Sequence, residues 1–205
     1  MMRAAAASPV QLIHPRRFGD ERGWFMETYN ARTWAGLGAE AAFVQDNQSY
    51  SSRPGTVRGL HFQRPPHAQD KLVRCLRGRI LDVAVDLRRG SPTYGQWVGA
   101  VLDGEAGAQL YIPAGFAHGF VTLVPDCEIA YKVSDYYAPE CDGGIRWNDT
   151  VIGVDWGLPA GAAPILSAKD AALPALGEFV SDFPYDGRPL RALGPGHRGS
   201  LPCES

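Results

Sequence analysis

The 205-residue sequence lacks three features that mark well-known classes of protein: paired cysteines, long apolar runs and an excess of charge of one sign. Its four cysteines, Cys75, Cys127, Cys141 and Cys203, show no C-x-x-C spacing and no His/Cys cluster of zinc-ligand type. A chain of this length needs no disulfides to stabilise its core, so we expect free thiols in a reducing compartment. Because 20 Lys and Arg nearly balance 22 Asp and Glu, we expect no nucleic-acid partner and no anionic membrane surface.

No segment is apolar and long enough to cross a bilayer, which takes about 20 residues. Residues 1–8 combine an arginine with four alanines before Pro9. This start is too short and too weakly apolar for a secretory signal peptide. The sequence therefore predicts a cytoplasmic protein.

What the sequence does contain is short alternating segments separated by its 24 glycines and 16 prolines. In residues 80–87 apolar side chains alternate with Asp82, Ala84 and Asp86, and residues 71–76 show the same period of two. This period is typical of strands that expose one face to a core. We count eight or more strands and no long helix before residue 165, which predicts an all-β fold.

A double-sheet jelly roll with short peripheral helices accommodates this pattern of strands. One helix is expected after Asn30, through Leu37, and another after the N-cap Ser167. One domain over residues 1–188 is the prediction. The segment 189–205, rich in Gly, Pro and Arg, is predicted to be a flexible tail.

The most informative stretch is Val57-Arg58-Gly59-Leu60-His61-Phe62-Gln63, followed by Lys71-Leu72-Val73-Arg74. An imidazole exchanges protons near neutral pH, and Arg and Lys can hold phosphate oxygens or stabilise an enolate. An anionic, carbonyl-bearing substrate would need these groups. Taken alone, the stretch favours an ordinary strand histidine beside a solvated basic face.

Familiar catalytic motifs are absent from the sequence. There is no G-x-S-x-G elbow and no P-loop. Jelly rolls that hold a catalytic metal supply two histidines one residue apart, but His61 is followed by Phe62 and Gln63, and His118 has no histidine nearby. We therefore predict a site without metal or cofactor. The chemistry that remains is proton transfer, with His61 as the base, a tyrosine as the acid and Lys71 stabilising the charge that develops.

Seven motifs together resemble the dTDP-4-dehydrorhamnose 3,5-epimerase family. The likeness runs in order from about residue 10 to 175, through Arg22-Gly23-Trp24-Phe25-Met26-Glu27, Phe43-Val44-Gln45-Asp46-Asn47, Arg58-Gly59-Leu60-His61-Phe62-Gln63, Lys71-Leu72-Val73-Arg74, Pro113-Ala114-Gly115-Phe116-Ala117-His118-Gly119-Phe120, Tyr131-Lys132 and Leu166-Ser167-Ala168-Lys169-Asp170. Trp24 stands where Phe is commoner, and the tail extends past the usual end. The resemblance implies a cupin-like fold, no metal and a homodimer.

The resemblance also implies roles for individual residues. His61 is the general base, Asp170 orients its imidazole, Tyr131 is the acid on the opposite face, and Lys71 lies near the enolate oxygen. The substrate is a dTDP-4-keto-6-deoxysugar. The residues implied to bind it are Arg22, Arg58 and Lys169 at the diphosphate and sugar, Glu27, Gln45, Asp46 and Asn47 at the nucleotide, His118 and Asp142 at further contacts, and Tyr137 against the thymine.

Three alternatives stay open at this point. A mono-epimerase of the same family would keep the histidine, tyrosine and aspartate and differ in pocket shape. A non-catalytic jelly roll that binds nucleotide sugars would bind dTDP without exchanging substrate protons. A metal-dependent oxygenase or isomerase would carry stoichiometric zinc or iron.

Overall fold

A computed structural model of the chain describes residues 8–36, 42–159, 161–194 and 197–201. In order, its elements are β1 Gln11–Ile13, β2 Arg17–Asp20, β3 Gly23–Met26, α1 Ala31–Gly36, β4 Gln45–Ser51, β5 Val57–Gln63, β6 Lys71–Arg77, β7 Arg79–Asp86, β8 Trp97–Asp103, β9 Gln109–Ile112, β10 Phe116–Thr122, β11 Cys127–Val133, β12 Asp142–Gly144, α2 Ala168–Ala171 and β13 Arg198–Gly199, with 3₁₀ turns at Pro139–Cys141 and Leu176–Glu178.

The strands form two antiparallel sheets, which confirms the predicted jelly roll. One sheet has the order β1-β9-β6-β11-β4, the other has the order β12-β5-β10-β7-β8-β13, and β2 and β3 form a separate hairpin. The expected helices are short. The Ser167 hydroxyl accepts a hydrogen bond from the Asp170 N–H at 3.0 Å, as the predicted N-cap requires. Of the first helix, the predicted Leu37 lies outside the described residues.

Alternation along β7 divides its apolar side chains between two clusters. On β7, Ile80 and Ala84 join the core between the sheets. Their neighbours Leu81 and Val83 point the other way, into a second cluster formed with the chain that follows β11. The six-stranded sheet is therefore buried on both faces, and only inward-pointing positions can reach the space between the sheets.

A close contact between β5 and β10 sets the register on which the site depends. His118 pairs with His61 and Phe120 pairs with Arg58, with a register shift between the two pairs. At the shift, a Cβ added to Gly119 would lie 2.8 Å from the Arg58 carbonyl oxygen. Only glycine allows this approach, which brings two histidines to adjacent strands.

Part of the segment predicted as a flexible tail packs against the sheet. Leu190 is 2% exposed, and Arg198–Gly199 pairs with Gly99 and Val98 of β8. Within the described residues this segment covers the edge of the six-stranded sheet. The domain division at residue 188 and the flexibility of residues 189–205 stay predictions.

Two further expectations concern thiols and membranes. Cys75, Cys127 and Cys141 are buried and free, while Cys203 lies outside the described residues. No helix in the described part of the chain is long and apolar enough to span a membrane.

Candidate active site

A cleft lies between the two sheets, and we call it the inter-sheet cleft. It consists of two adjoining cavities of about 240 Å³ each, and both are bordered by His61, Lys71, Tyr131 and Lys169. β5 contributes His61 from one sheet, whereas β6 and β11 contribute Lys71 and Tyr131 from the other. The other predicted site residues at its border are Gln45, Asn47, Arg58, His118, Tyr137, Asp142 and Asp170.

His61 and Asp170 form a hydrogen-bonded dyad at the border of the cleft. The His61 Nε2 lies 2.5 Å from the Asp170 Oδ1, and the two side chains are 31% and 5% exposed. Burial raises the pKa of Asp170, but the hydrogen bond and charge of His61 outweigh it and bring the pKa below its ordinary value. Asp170 is therefore a carboxylate that accepts the Nε2 proton, which leaves the His61 Nδ1 lone pair as a base.

Tyr131 supplies a phenol from the opposite sheet. It lies in β11 between Asn47 of β4 and Val73 of β6. Burial raises the pKa of Tyr131, against the opposing positive charge of Arg58. The phenol is therefore protonated near neutral pH and can donate a proton.

Lys71 is a buried lysine beside the dyad. Its Nζ donates to the His61 carbonyl oxygen at 3.3 Å. Burial lowers the pKa of Lys71 to about 8, against the opposing charges of Asp142 and Asp82. Near neutral pH the ammonium is mostly retained, in surroundings where its charge is poorly screened and acts strongly on a nearby anion.

Asp82 is the buried partner of the site residue His118, and the sequence reasoning missed it. Its Oδ1 lies 2.8 Å from the His118 Nε2, and its Oδ2 has no partner within the described chain although Asp82 is 0% exposed. Burial lowers the pKa of His118, opposed by the Asp82 carboxylate. The signal was present, because alternation along β7 turns Asp82 inward with Ile80 and Ala84.

At the outer end of the cleft, Asp142 joins two other predicted residues. Its Oδ2 accepts a hydrogen bond from the Tyr137 hydroxyl at 3.3 Å and forms an ion pair with the Lys169 ammonium. The hydrogen bond from Lys169 to Asp142 raises the pKa of Lys169. Because Tyr137 is 57% exposed, its ring is accessible to a ligand.

The structure does not bring three predicted substrate residues into the cleft. Arg22 is paired with Asp20 in the β2–β3 hairpin, and the Glu27 carboxylate accepts from the Asn30 amide. Asp46 lies in β4 between two inward residues, so alternation turns it outward to the Lys132 ammonium at 2.8 Å. The implied contact between Asp46 and the nucleotide stays a prediction.

In the part of the chain that the structure describes, no three His, Cys, Asp or Glu side chains lie together so that they could hold a metal ion. A site that works without metal or cofactor stays a prediction. The residues at hand support acid–base chemistry.

Among the solved structures that share this fold are two epimerases. The dTDP-6-deoxy-D-glucose-3,5-epimerase of Legionella pneumophila, in complex with dTDP-4-keto-L-rhamnose, is 44% identical with a TM-score of 0.82, covering 88% of this chain and 96% of that chain. A 3′-monoepimerase of Streptomyces bikiniensis, in complex with dTDP-quinovose, is 31% identical with a TM-score of 0.75, covering 86% and 88%. Fold and site thus define a cupin-like jelly-roll epimerase, an isomerase.

The sequence comparison narrows the class to one family. The family model described as dTDP-4-dehydrorhamnose 3,5-epimerase matches residues 5–178. The dTDP-4-dehydrorhamnose 3,5-epimerase of Sinorhizobium fredii is 53% identical over 176 residues, covering 86% of this chain and 89% of that protein. The chain belongs to the dTDP-4-dehydrorhamnose 3,5-epimerase family.

Proposed function

We propose that this chain inverts C3 and C5 of dTDP-4-dehydro-6-deoxy-D-glucose and so forms dTDP-4-dehydro-L-rhamnose. Both carbons lie next to the C4 ketone, which makes their protons removable because the resulting anion delocalises onto the carbonyl oxygen. Return of a proton on the opposite face inverts the carbon. The observation that carries the proposal is that the His61–Asp170 dyad and Tyr131 border one cleft from opposite sheets.

In the proposed reaction His61 Nδ1 takes the proton while Nε2–H stays bonded to Asp170. The carboxylate stabilises the imidazolium that forms and fixes the ring. Lys71 stabilises the negative charge on the enolate oxygen, where a buried ammonium is most effective. Tyr131 then donates its proton to the carbon from the other face, and solvent restores both groups before the second inversion.

Substrate binding is assigned to the polar groups around this centre. Arg58 and Lys169 bring positive charge to the diphosphate, for which guanidinium and ammonium groups are suited. Tyr137 stacks on the thymine through its exposed ring. His118 and Asp142 make further contacts to the substrate.

The direct test is proton exchange in D₂O, followed by NMR of the sugar. Deuterium entering both C3 and C5, with formation of the inverted product, is the expected result. Exchange at one carbon only would establish a mono-epimerase instead. Binding of dTDP without any deuterium incorporation would establish a non-catalytic nucleotide-sugar protein, and either result would end the present proposal.

The active form is proposed to be a homodimer. The β2–β3 hairpin exposes Trp24 and Phe25, which are 59% and 69% exposed, and large exposed aromatic groups mark contact surfaces. The same hairpin carries Arg22, and Glu27 follows it directly. A second copy that covers the hairpin can receive these two residues in its own cleft, which reconciles their implied role with their place outside the residues that border the cleft of their own chain.

A further inference from the structure

The backbone around Tyr137 is held by two glutamine side chains. The Gln63 amide Nε2 donates to the Tyr136 carbonyl oxygen at 3.1 Å, and the Gln45 Oε1 accepts from the Tyr137 N–H at 3.2 Å. These two atoms belong to the same peptide unit. The Gln63 Oε1 accepts from the Ala138 N–H at 2.8 Å, which holds the next peptide unit as well.

Holding both peptide units fixes the two backbone dihedrals of Tyr137. The direction of its Cα–Cβ bond follows from them, and so does the direction of the ring. The ring needs this support because it is 57% exposed; in the described part of the chain its hydroxyl donates to Asp142. A half-exposed tyrosine on a loop would sample several directions without such a constraint.

Gln63 borders the inter-sheet cleft, but its side-chain amide is bonded to the loop. It ends β5, two residues after His61, and is 4% exposed. Its Nε2 also donates to the His67 carbonyl oxygen at 2.7 Å, so both of its amide hydrogens and its oxygen are used within the protein. No hydrogen of the Gln63 amide is left to donate to a substrate.

Gln45 is held in a similar way. Its Nε2 donates to the Asn47 Oδ1 at 2.9 Å, while its oxygen accepts from Tyr137. The residue was expected to contact the nucleotide directly, but these bonds give it a second role in the same loop. Gln63 therefore links β5 of the six-stranded sheet to the segment that carries the exposed Tyr137 ring. Gln45 links β4 of the five-stranded sheet to the same segment.

We propose that Gln63, assisted by Gln45, is a positioning residue that fixes the Tyr137 ring in the direction required for stacking on the thymine of a dTDP-sugar. This inference rests on the proposed function of Tyr137. It assigns to the glutamine of the Gly59-Leu60-His61-Phe62-Gln63 segment a task separate from the proton transfer at His61. The two tasks share one strand, so β5 sets both the reacting group and the nucleotide contact.

The test is a double-mutant cycle measured as the Kd of dTDP by calorimetry. Tyr137→Ala is expected to raise the Kd by about 5- to 100-fold, the range for loss of a base–aromatic stack. Gln63→Met keeps the length of the side chain but removes all three bonds, and should raise the Kd about 3- to 10-fold. In the Tyr137→Ala background, Gln63→Met should change the Kd less than about twofold, because the ring through which it acts is gone.

A residue with a merely structural role would weaken dTDP binding equally with and without the ring, and that result would overturn the inference. An unchanged Kd in Gln63→Met would overturn it too. Gln48→Met is the matched control, since alternation along β4 turns Gln48 away from the residues that border the inter-sheet cleft and its amide donates to the Glu128 carboxylate at 3.5 Å. Its Kd should stay within about twofold of the unaltered protein.

A second readout separates this inference from the proposed function. Gln63→Met should raise KM and leave kcat within about threefold, because the dyad is untouched. If Tyr137→Ala leaves the Kd unchanged, the stacking role itself fails and this inference fails with it. If Tyr137→Ala weakens binding and Gln63→Met does not, only the positioning role fails. Circular dichroism of each variant confirms that the altered protein is folded.

Discussion

At the scale of single residues, burial and partner decide what each group in the cleft does. Asp170 is almost fully buried yet ionised, because His61 and backbone donors offset its desolvation. Tyr131 is kept neutral by burial. A proton acceptor, the His61–Asp170 dyad, and a proton donor, Tyr131, thus face the inter-sheet cleft at the same pH.

Loss of the His61 imidazole and loss of the Tyr131 hydroxyl should have different effects on the reaction. His61→Ala is expected to abolish both product formation and deuterium exchange, with a loss on the order of 10²- to 10⁴-fold, since no base remains. Tyr131→Phe should lose product formation to a similar degree but keep exchange, because His61 can return a solvent deuteron to the face it deprotonated. NMR in D₂O distinguishes the two results. Exchange at the normal rate in His61→Ala would refute the role of the base.

The buried lysine should set the alkaline limit of activity. Lys71 has a pKa of about 8, so the ammonium is present below that pH and lost as the pH rises through it. kcat/KM, which reports the free enzyme, is expected to fall above about pH 8. In Lys71→Met this fall should disappear, together with a loss of about 10²- to 10³-fold in rate. A pH profile of Lys71→Met with the same alkaline fall would show that another group is responsible.

At the scale of elements, the β5–β10 pair aligns the site. Its register depends on the tight approach at Gly119, where an added Cβ would meet the Arg58 carbonyl oxygen at 2.8 Å and Leu60 Cδ2 at 3.1 Å. Since β5 carries His61, any displacement of this strand also moves the dyad relative to Tyr131.

Gly119→Ala is therefore expected to lower the free energy of unfolding by about 1–3 kcal/mol, the usual cost of overpacking. Activity should fall as well, because β5 must move away from β10. Urea unfolding and steady-state kinetics measure the two effects. Gly177→Ala is the control, because nothing lies within 4 Å of its added Cβ. Normal stability and activity in Gly119→Ala would contradict the importance of this approach.

At the scale of the whole molecule, the proposed dimer predicts a particular mass in solution and a particular result when inactive variants are mixed. Light scattering should give about twice the chain mass of 22.2 kDa. Arg22→Ala and His61→Ala should each be inactive alone. If Arg22 serves the cleft of the other copy, mixing the two variants after unfolding and refolding restores about a quarter of the normal activity, since half of the dimers then hold one intact site.

A second mixture provides the control for that experiment. His61→Ala and Tyr131→Phe affect residues that border the same cleft within one chain, so their mixture should regain nothing. Failure of the Arg22→Ala mixture to regain activity would mean that Arg22 does not act across the dimer. A monomer in light scattering would refute the dimer itself.

Much of this protein could be predicted from local sequence. The period of two along β6 and β7 identified both strands and their faces, and Ser167 was recognised as a helix cap. The His61, Tyr131 and Asp170 motifs indicated the family, and the structure brings all three to the cleft. Local patterns suffice here because backbone geometry alone dictates which side chains share a face of a strand.

Other features were decided only by the tertiary structure. The order of strands pairs Asp82 with His118 and brings Gln63 to the peptide units around Tyr137. Each depends on segments that lie far apart in the chain. The amino-acid sequence by itself determined which residues can do chemistry and which face of each strand they occupy. Pairing between distant strands decided which of them meet, because hydrogen-bond register is fixed by the packing of the whole core.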